Sequence, residues 1–123
     1  MFAEETEKLV NELIQAEYKN ACEQFGDKYN SLHEGYAVLL EEVEEVEVEF
    51  EFIESTLKGI WKETKTFSLK NYSEKILLGY CKNEMEYVKR TMKELAQVGA
   101  VLQKIKNTLG KDINVVTNDE VEE

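Results

Sequence analysis

The stretch EEVEEVEVEFEF, residues 41–52, decides how this chain is read. From Val46 onward it alternates apolar and acidic residues strictly, the period-2 pattern of a half-buried strand. The same residues also belong to a longer series: Tyr36, Leu39, Val43, Val46, Phe50, Ile53, Leu57 and Ile60 recur at alternating steps of three and four. That is the period of an amphipathic helix, and no turn signal bounds a strand on either side. The longer series outweighs the alternating segment. The stretch therefore predicts helix, with Val48 and Phe52 widening its buried face.

Working outward, SLHE (residues 31–34) has the form of a capping box. The Ser31 hydroxyl would accept from the Glu34 backbone N–H, and the Glu34 side chain would reach back to the N–H of Ser31. This predicts a second helix from Ser31 to about Lys62. Upstream, Leu9, Val10, Leu13, Ile14, Ala21 and Phe25 form a looser stripe, predicting a first helix from Ala3 to Phe25 with Gly26 beyond its end. Downstream, TKTFSLKNYS (residues 64–73) breaks the pattern and reads as a connection. A third helix is expected from Ser73 to Leu109, carrying Cys81, Met85, Val88, Met92, Leu95 and Leu102 on one stripe, with Gly110 as its stop. Residues 1–110 thus read as one helical domain. Residues 111–123 read as a flexible acidic tail, within which INVV is apolar enough to dock.

Composition agrees with helices. The 123 residues include no proline and six glycines, so long elements run unbroken, and 42% hydrophobic residues exclude a disordered chain. The expected fold is an all-α, antiparallel helical bundle of three long helices. Stripes this wide exceed what one small copy can cover, so oligomerisation, as a homodimer or homotetramer, is expected to complete the bundle. The net charge of −11 argues against a nucleic-acid polymer as partner, because gripping phosphate backbones needs lysine and arginine. It suits binding of cations, or of free nucleotides through a metal. No apolar run approaches a membrane span, and MFAEETEKLV is charged too early to read as a signal peptide. Cys22 and Cys81 sit in helical pattern without metal-type spacing, as reduced thiols of a cytoplasmic protein would.

The second helix carries the chemistry. Glu42, Glu45 and Glu49 lie at i, i+3 and i+7, neighbours on one helical surface. From Glu34 to Glu54 the acidic residues run without a single lysine or arginine among them. A face built only for solvation normally interleaves Glu with Lys to relieve repulsion. Glu42 and Glu45 also border the apolar stripe, where the helix meets its neighbours. A solvated face and a cation site are the two readings. A cation site needs a second contributor, and the third helix offers Glu94 and Gln97 at i, i+3 on the edge of its own stripe. Mg²⁺ takes a few carboxylates and fills its other positions with water and phosphate.

The segments SLHEGYAVLLEEVEEVE and KELAQVGAVLQKI, about fifty residues apart, resemble the MazG-like nucleotide pyrophosphohydrolases, in particular their short phage- or Firmicute-type members. The family pattern is Glu-x-x-Glu on one helix and Glu-x-x-Asp on the next long one. Glu42 to Glu45 matches the first half, and Glu94 to Gln97 matches the second except at its last position. The resemblance covers roughly residues 27–106. It implies Mg²⁺-dependent hydrolysis, with Mn²⁺ as a substitute ion, of a nucleoside triphosphate to the monophosphate and pyrophosphate. Glu42, Glu45 and Glu94 would then be metal ligands, Glu42 and Glu45 would also serve catalysis, and Gln97 would ligate weakly through its carbonyl oxygen. Glu49 would supply the charge that Gln97 lacks; alternatively the chain is an inactive relative, a helical module for dimerisation or protein interaction.

Three further residues are candidates to touch substrate: His33 in the first turn of the second helix, and Lys93 and Lys104 as phosphate contacts. The plain alternative for each is an ordinary surface side chain. Tyr29, Tyr36 and Trp61 are candidates to stack on a base; Tyr36 and Trp61 lie on or beside the apolar stripe, so the core is the expected place for these two.

Overall fold

A computed structural model describes residues 3–66 and 73–112. It is all-α: helix α1 spans Glu4–Phe25, α2 spans Leu32–Thr66 and α3 spans Ser73–Asp112, with no strand among the described residues. Residues 46–52 are uninterrupted helix inside α2. Most of the expected connection after α2, and the acidic tail from residue 113, lie outside the described residues.

Local chemistry sets the helix ends. After Phe25 the chain turns at Gly26, whose φ of 84° is favoured only for glycine, and whose N–H donates to the Cys22 carbonyl at 2.8 Å. At the start of α2 the Glu34 N–H donates to Ser31 Oγ at 3.1 Å, as the capping box requires. The Glu34 carboxylate reaches one residue further back than expected, accepting from the Asn30 N–H at 2.7 Å. The C-terminus of α2 lies at Thr66 rather than near Lys62. In that extra turn Thr64 donates to the Ile60 carbonyl and Thr66 to that of Glu63, at 2.8 and 3.2 Å. Gly110 does not stop α3, which passes through it to Asp112. Only Gly26 has positive φ among the described residues, so Gly110 adopts helical dihedrals at a propensity cost of about 1 kcal/mol.

The chain divides into two compact units: Met1–Glu42 with Ala96–Glu123, and Val43–Leu95. In the first, α1, the start of α2 and the end of α3 pack as a three-helix bundle. Small residues set the closeness of approach. A Cβ on Gly99 would lie 3.0 Å from Ile14 of α1, and one on Gly35 would lie 2.9 Å from Ile105 and 3.1 Å from Tyr29. Ala96, Ala100 and Val101 of α3 are buried between these neighbours. Polar cross-links fix the loop after α1. The buried Tyr29 N–H donates to Thr108 Oγ1 at 2.8 Å, and the Asn107 amide donates to the Tyr18 hydroxyl and to the Asp27 carbonyl.

The second unit is an antiparallel hairpin of α2 and α3. As α2 ascends, α3 descends at equal pace. Arg90 meets Glu49, Tyr87 stacks on Phe52 with ring centroids 5.3 Å apart, and Tyr80 lies where a Cβ on Gly59 would come within 2.7 Å. Val46, Thr56 and Thr91 are buried along this line. The predicted apolar series of α2 splits in two. Its members on the side of Leu39, Val46, Ile53 and Ile60 turn inward, while Tyr36, Val43, Phe50 and Leu57 are exposed. Val48 points outward too, and does not widen the buried face. Tyr36 and Trp61, expected in the core, are exposed. Two helices offer each other only one line of contact, so within this unit Val43, Phe50 and Leu57 stay uncovered; Tyr36 is exposed although it lies in the three-helix unit.

Candidate metal centre

Glu42 and Glu45 stand one turn apart on α2, and Glu94 approaches from α3, where the antiparallel register sets residue 94 against residue 45. One carboxylate oxygen from each of the three lies within 4.8 Å of the others. Glu45 is exposed, Glu42 and Glu94 are half-buried, and one oxygen of each of these two is enclosed by protein. Oxygens that share Mg²⁺ at 2.0–2.1 Å stand roughly 2.9–4.2 Å apart, so a small contraction of side chains brings this trio to bonding distance. All three donors are hard anionic oxygens, the ligand type that Mg²⁺ and Mn²⁺ take. The donor set therefore fits a hard divalent cation.

The other two expected ligands are engaged elsewhere. Glu49 sits 3.5 Å from the Arg90 guanidinium, which also lies 4.7 Å over the Tyr87 ring. Gln97 donates its amide to Glu17 of α1 at 3.4 Å. The structure thus brings together Glu42, Glu45 and Glu94 and gives Glu49 and Gln97 other partners. Arg90 and Glu17 were absent from the sequence reading. Arg90 was within reach of it, since an antiparallel register that sets 45 against 94 also sets 49 against 90; no signal in the sequence picks out Glu17.

The candidate substrate contacts separate as well. His33 is exposed on the first turn of α2, and Lys93 is exposed immediately before Glu94. Lys104 is a buried cation in the first unit, with its ammonium 4.3 Å over the Tyr29 ring and 6.0 Å from that of Phe25. Burial, reinforced by the negative charges of Glu34 and Glu42, raises the Tyr29 phenol above its ordinary value. Tyr29 thus keeps its proton throughout the range in which carboxylates ionise. Its ring is enclosed, so it is not placed to stack on a base as an open aromatic would be.

Comparison with protein-family profiles, with curated proteins and with solved structures gives no match for this chain.

Proposed function

We propose that the chain hydrolyses a nucleoside triphosphate to the monophosphate and pyrophosphate, with a hard divalent cation, Mg²⁺ or Mn²⁺, held by Glu42, Glu45 and Glu94. The observation that carries this reading is the convergence of three carboxylates from two helices within 4.8 Å. Like charges gathered this closely oppose folding unless a cation offsets them. The cation, when bound, supplies charge neutralisation on phosphate oxygens and acidifies a water molecule.

The chain's own residues then divide the work. Glu42 and Glu94, each with one enclosed oxygen, are the rigid ligands. Glu45, exposed on the open side, is the group that takes the proton when a water oxygen attacks the α-phosphorus. The bond from that phosphorus to the bridging oxygen breaks, and pyrophosphate leaves with the electron pair. Lys93, exposed and one residue before Glu94 on α3, is the cation proposed to meet a phosphate oxygen. The net charge of −11 favours a free nucleotide that arrives with its metal over a nucleic-acid polymer. Both cysteines are free thiols, in keeping with a reducing, cytoplasmic compartment.

The test is a panel of ordinary and modified nucleoside triphosphates with Mg²⁺ or Mn²⁺, scored for pyrophosphate release. Activity on at least one nucleotide is expected, with a loss of at least a hundredfold in Glu45→Gln while helicity is retained. Absence of pyrophosphate release across the panel, or full activity in Glu45→Gln, contradicts the reading.

A further inference from the structure

The chain holds fourteen lysines and a single arginine, Arg90. That arginine stands one helical turn before Glu94 on α3 and meets Glu49, which stands one turn after Glu45 on α2. Its contacts are incomplete. Arg90 Nε lies 3.5 Å from Glu49 Oε1, too long for a charge-assisted hydrogen bond, and that enclosed oxygen accepts no hydrogen bond at all. The guanidinium carbon lies 4.7 Å over the ring of Tyr87, a residue one turn further from Glu94. The Arg90 side chain is 55% exposed, and its terminal nitrogens donate no hydrogen bond to a described residue. At such an exposed side chain an ion pair and a cation–π contact each hold weakly. The fork is open.

We infer that Arg90 binds the polyphosphate chain of the substrate, and that Glu49 holds it in a resting position until a cation occupies the neighbouring carboxylates. The inference rests on the function proposed above and adds the residue that meets the charge the cation leaves uncovered. Three carboxylates more than cancel one divalent ion, so the loaded centre stays negative and a triphosphate needs a further cation beside it. An arginine fork takes two oxygens of one phosphate, whereas a lysine such as Lys93 offers only a point charge. Four residues separate Arg90 from Glu94, a rise of about 6 Å that an arginine side chain spans. Glu49 makes the release depend on the metal. An enclosed carboxylate abandoned by its partner is costly, but a divalent ion one turn away along α2 replaces the lost positive charge. The surrounding charge favours an anion on this side. From residue 58 to residue 93, nine lysines and arginines stand against four glutamates, a positive segment in a chain of net charge −11.

Inorganic tripolyphosphate, added as its Mg²⁺ complex and followed by calorimetry, tests the inference, with Mn²⁺ titration as a separate measure of the carboxylate centre. The wild type is expected to bind the complex. Arg90→Ala should bind it about tenfold more weakly or worse, and Arg90→Lys about threefold or worse, because the charge remains while the fork is lost. Both variants should keep the wild-type Mn²⁺ affinity to within about threefold, since Arg90 is no ligand. Glu49→Gln should hold tripolyphosphate at least as tightly as the wild type, because Arg90 is no longer held back, and should keep its Mn²⁺ affinity as well. Tripolyphosphate binding unchanged in Arg90→Ala, or Mn²⁺ binding lost in Glu49→Gln, overturns the inference and leaves the carboxylate centre standing. A wild type that binds Mn²⁺ but no tripolyphosphate also overturns it, and one that binds no Mn²⁺ overturns the centre with it. If Arg90→Ala fails to fold, Arg90→Lys and Glu49→Gln decide.

Discussion

The two units share the helices α2 and α3 but not their company. In Met1–Glu42 with Ala96–Glu123, α1 lies on α3, and the contact is made with small residues and polar cross-links: Gly99 against Ile14, Gly35 against Tyr29 and Ile105, Tyr29 tied to Thr108. In Val43–Leu95 there are two helices only, and large side chains such as Phe50, Leu57, Met85 and Met92 stay exposed. The difference teaches what an apolar stripe means in a helical chain. It records which residues share a face: a third helix covers part of that face, as Ile14 does at Gly99, and still leaves Phe25, Tyr36 and Leu102 exposed in the three-helix unit.

The polar contacts sharpen the comparison most. Thr108 Oγ1 is the acceptor for a buried backbone N–H, that of Tyr29, and also donates to the Lys104 carbonyl. Thr108→Val leaves the Tyr29 N–H without an acceptor, so thermal or denaturant unfolding should show a loss of about 1–3 kcal/mol. In the second unit Thr91 is equally buried, but its hydroxyl donates only to the Tyr87 carbonyl one turn back on its own helix. Thr91→Val should change stability by less than about 0.5 kcal/mol, because that bond adds nothing between helices. Equal losses at the two positions would break the distinction between a cross-linked and an uncross-linked unit.

Glycine substitutions should give a smaller contrast. Gly35→Ala drives a methyl against Tyr29 and Ile105, side chains held within the three-helix unit, and should cost about 1–2 kcal/mol despite the gain in helix propensity. Gly59→Ala meets the outer end of the Tyr80 ring, a half-buried side chain with solvent beside it. Tyr80 can swing aside, so the propensity gain of up to about 1 kcal/mol should leave that variant unchanged or slightly more stable. Comparable destabilisation in both would show that the hairpin is packed as tightly as the bundle.

How far these features could be read in the sequence follows the same division. Helix type and number were legible because the three-four series in α2 extends beyond the alternating Val46–Phe52 segment on both sides, and proline is absent. The ends were less so. Gly110 looks like a terminator, yet glycine tolerates helical dihedrals and α3 runs on. Tyr36 and Trp61 follow the apolar pattern but are exposed, since periodicity says which residues share a face and not whether anything lies against it. The carboxylate trio was legible through the spacing of Glu42 and Glu45 and the matching pair on α3. The separation of Glu49 and Gln97 from that trio was not, because it depends on Arg90 and Glu17, residues made neighbours only by helix pairing.

If Glu42, Glu45 and Glu94 together hold one hard divalent cation, titration with Mn²⁺, followed by electron paramagnetic resonance of the free ion, should reveal it. One Mn²⁺ should bind per chain and be displaced by Mg²⁺. Affinity should fall as carboxylates protonate at low pH, and should weaken at least tenfold in Glu45→Gln and in Glu94→Gln alike. Mn²⁺ binding that is undetectable at millimolar concentration, or that is unchanged in both variants, would contradict it and return the acidic run of α2 to a solvated face.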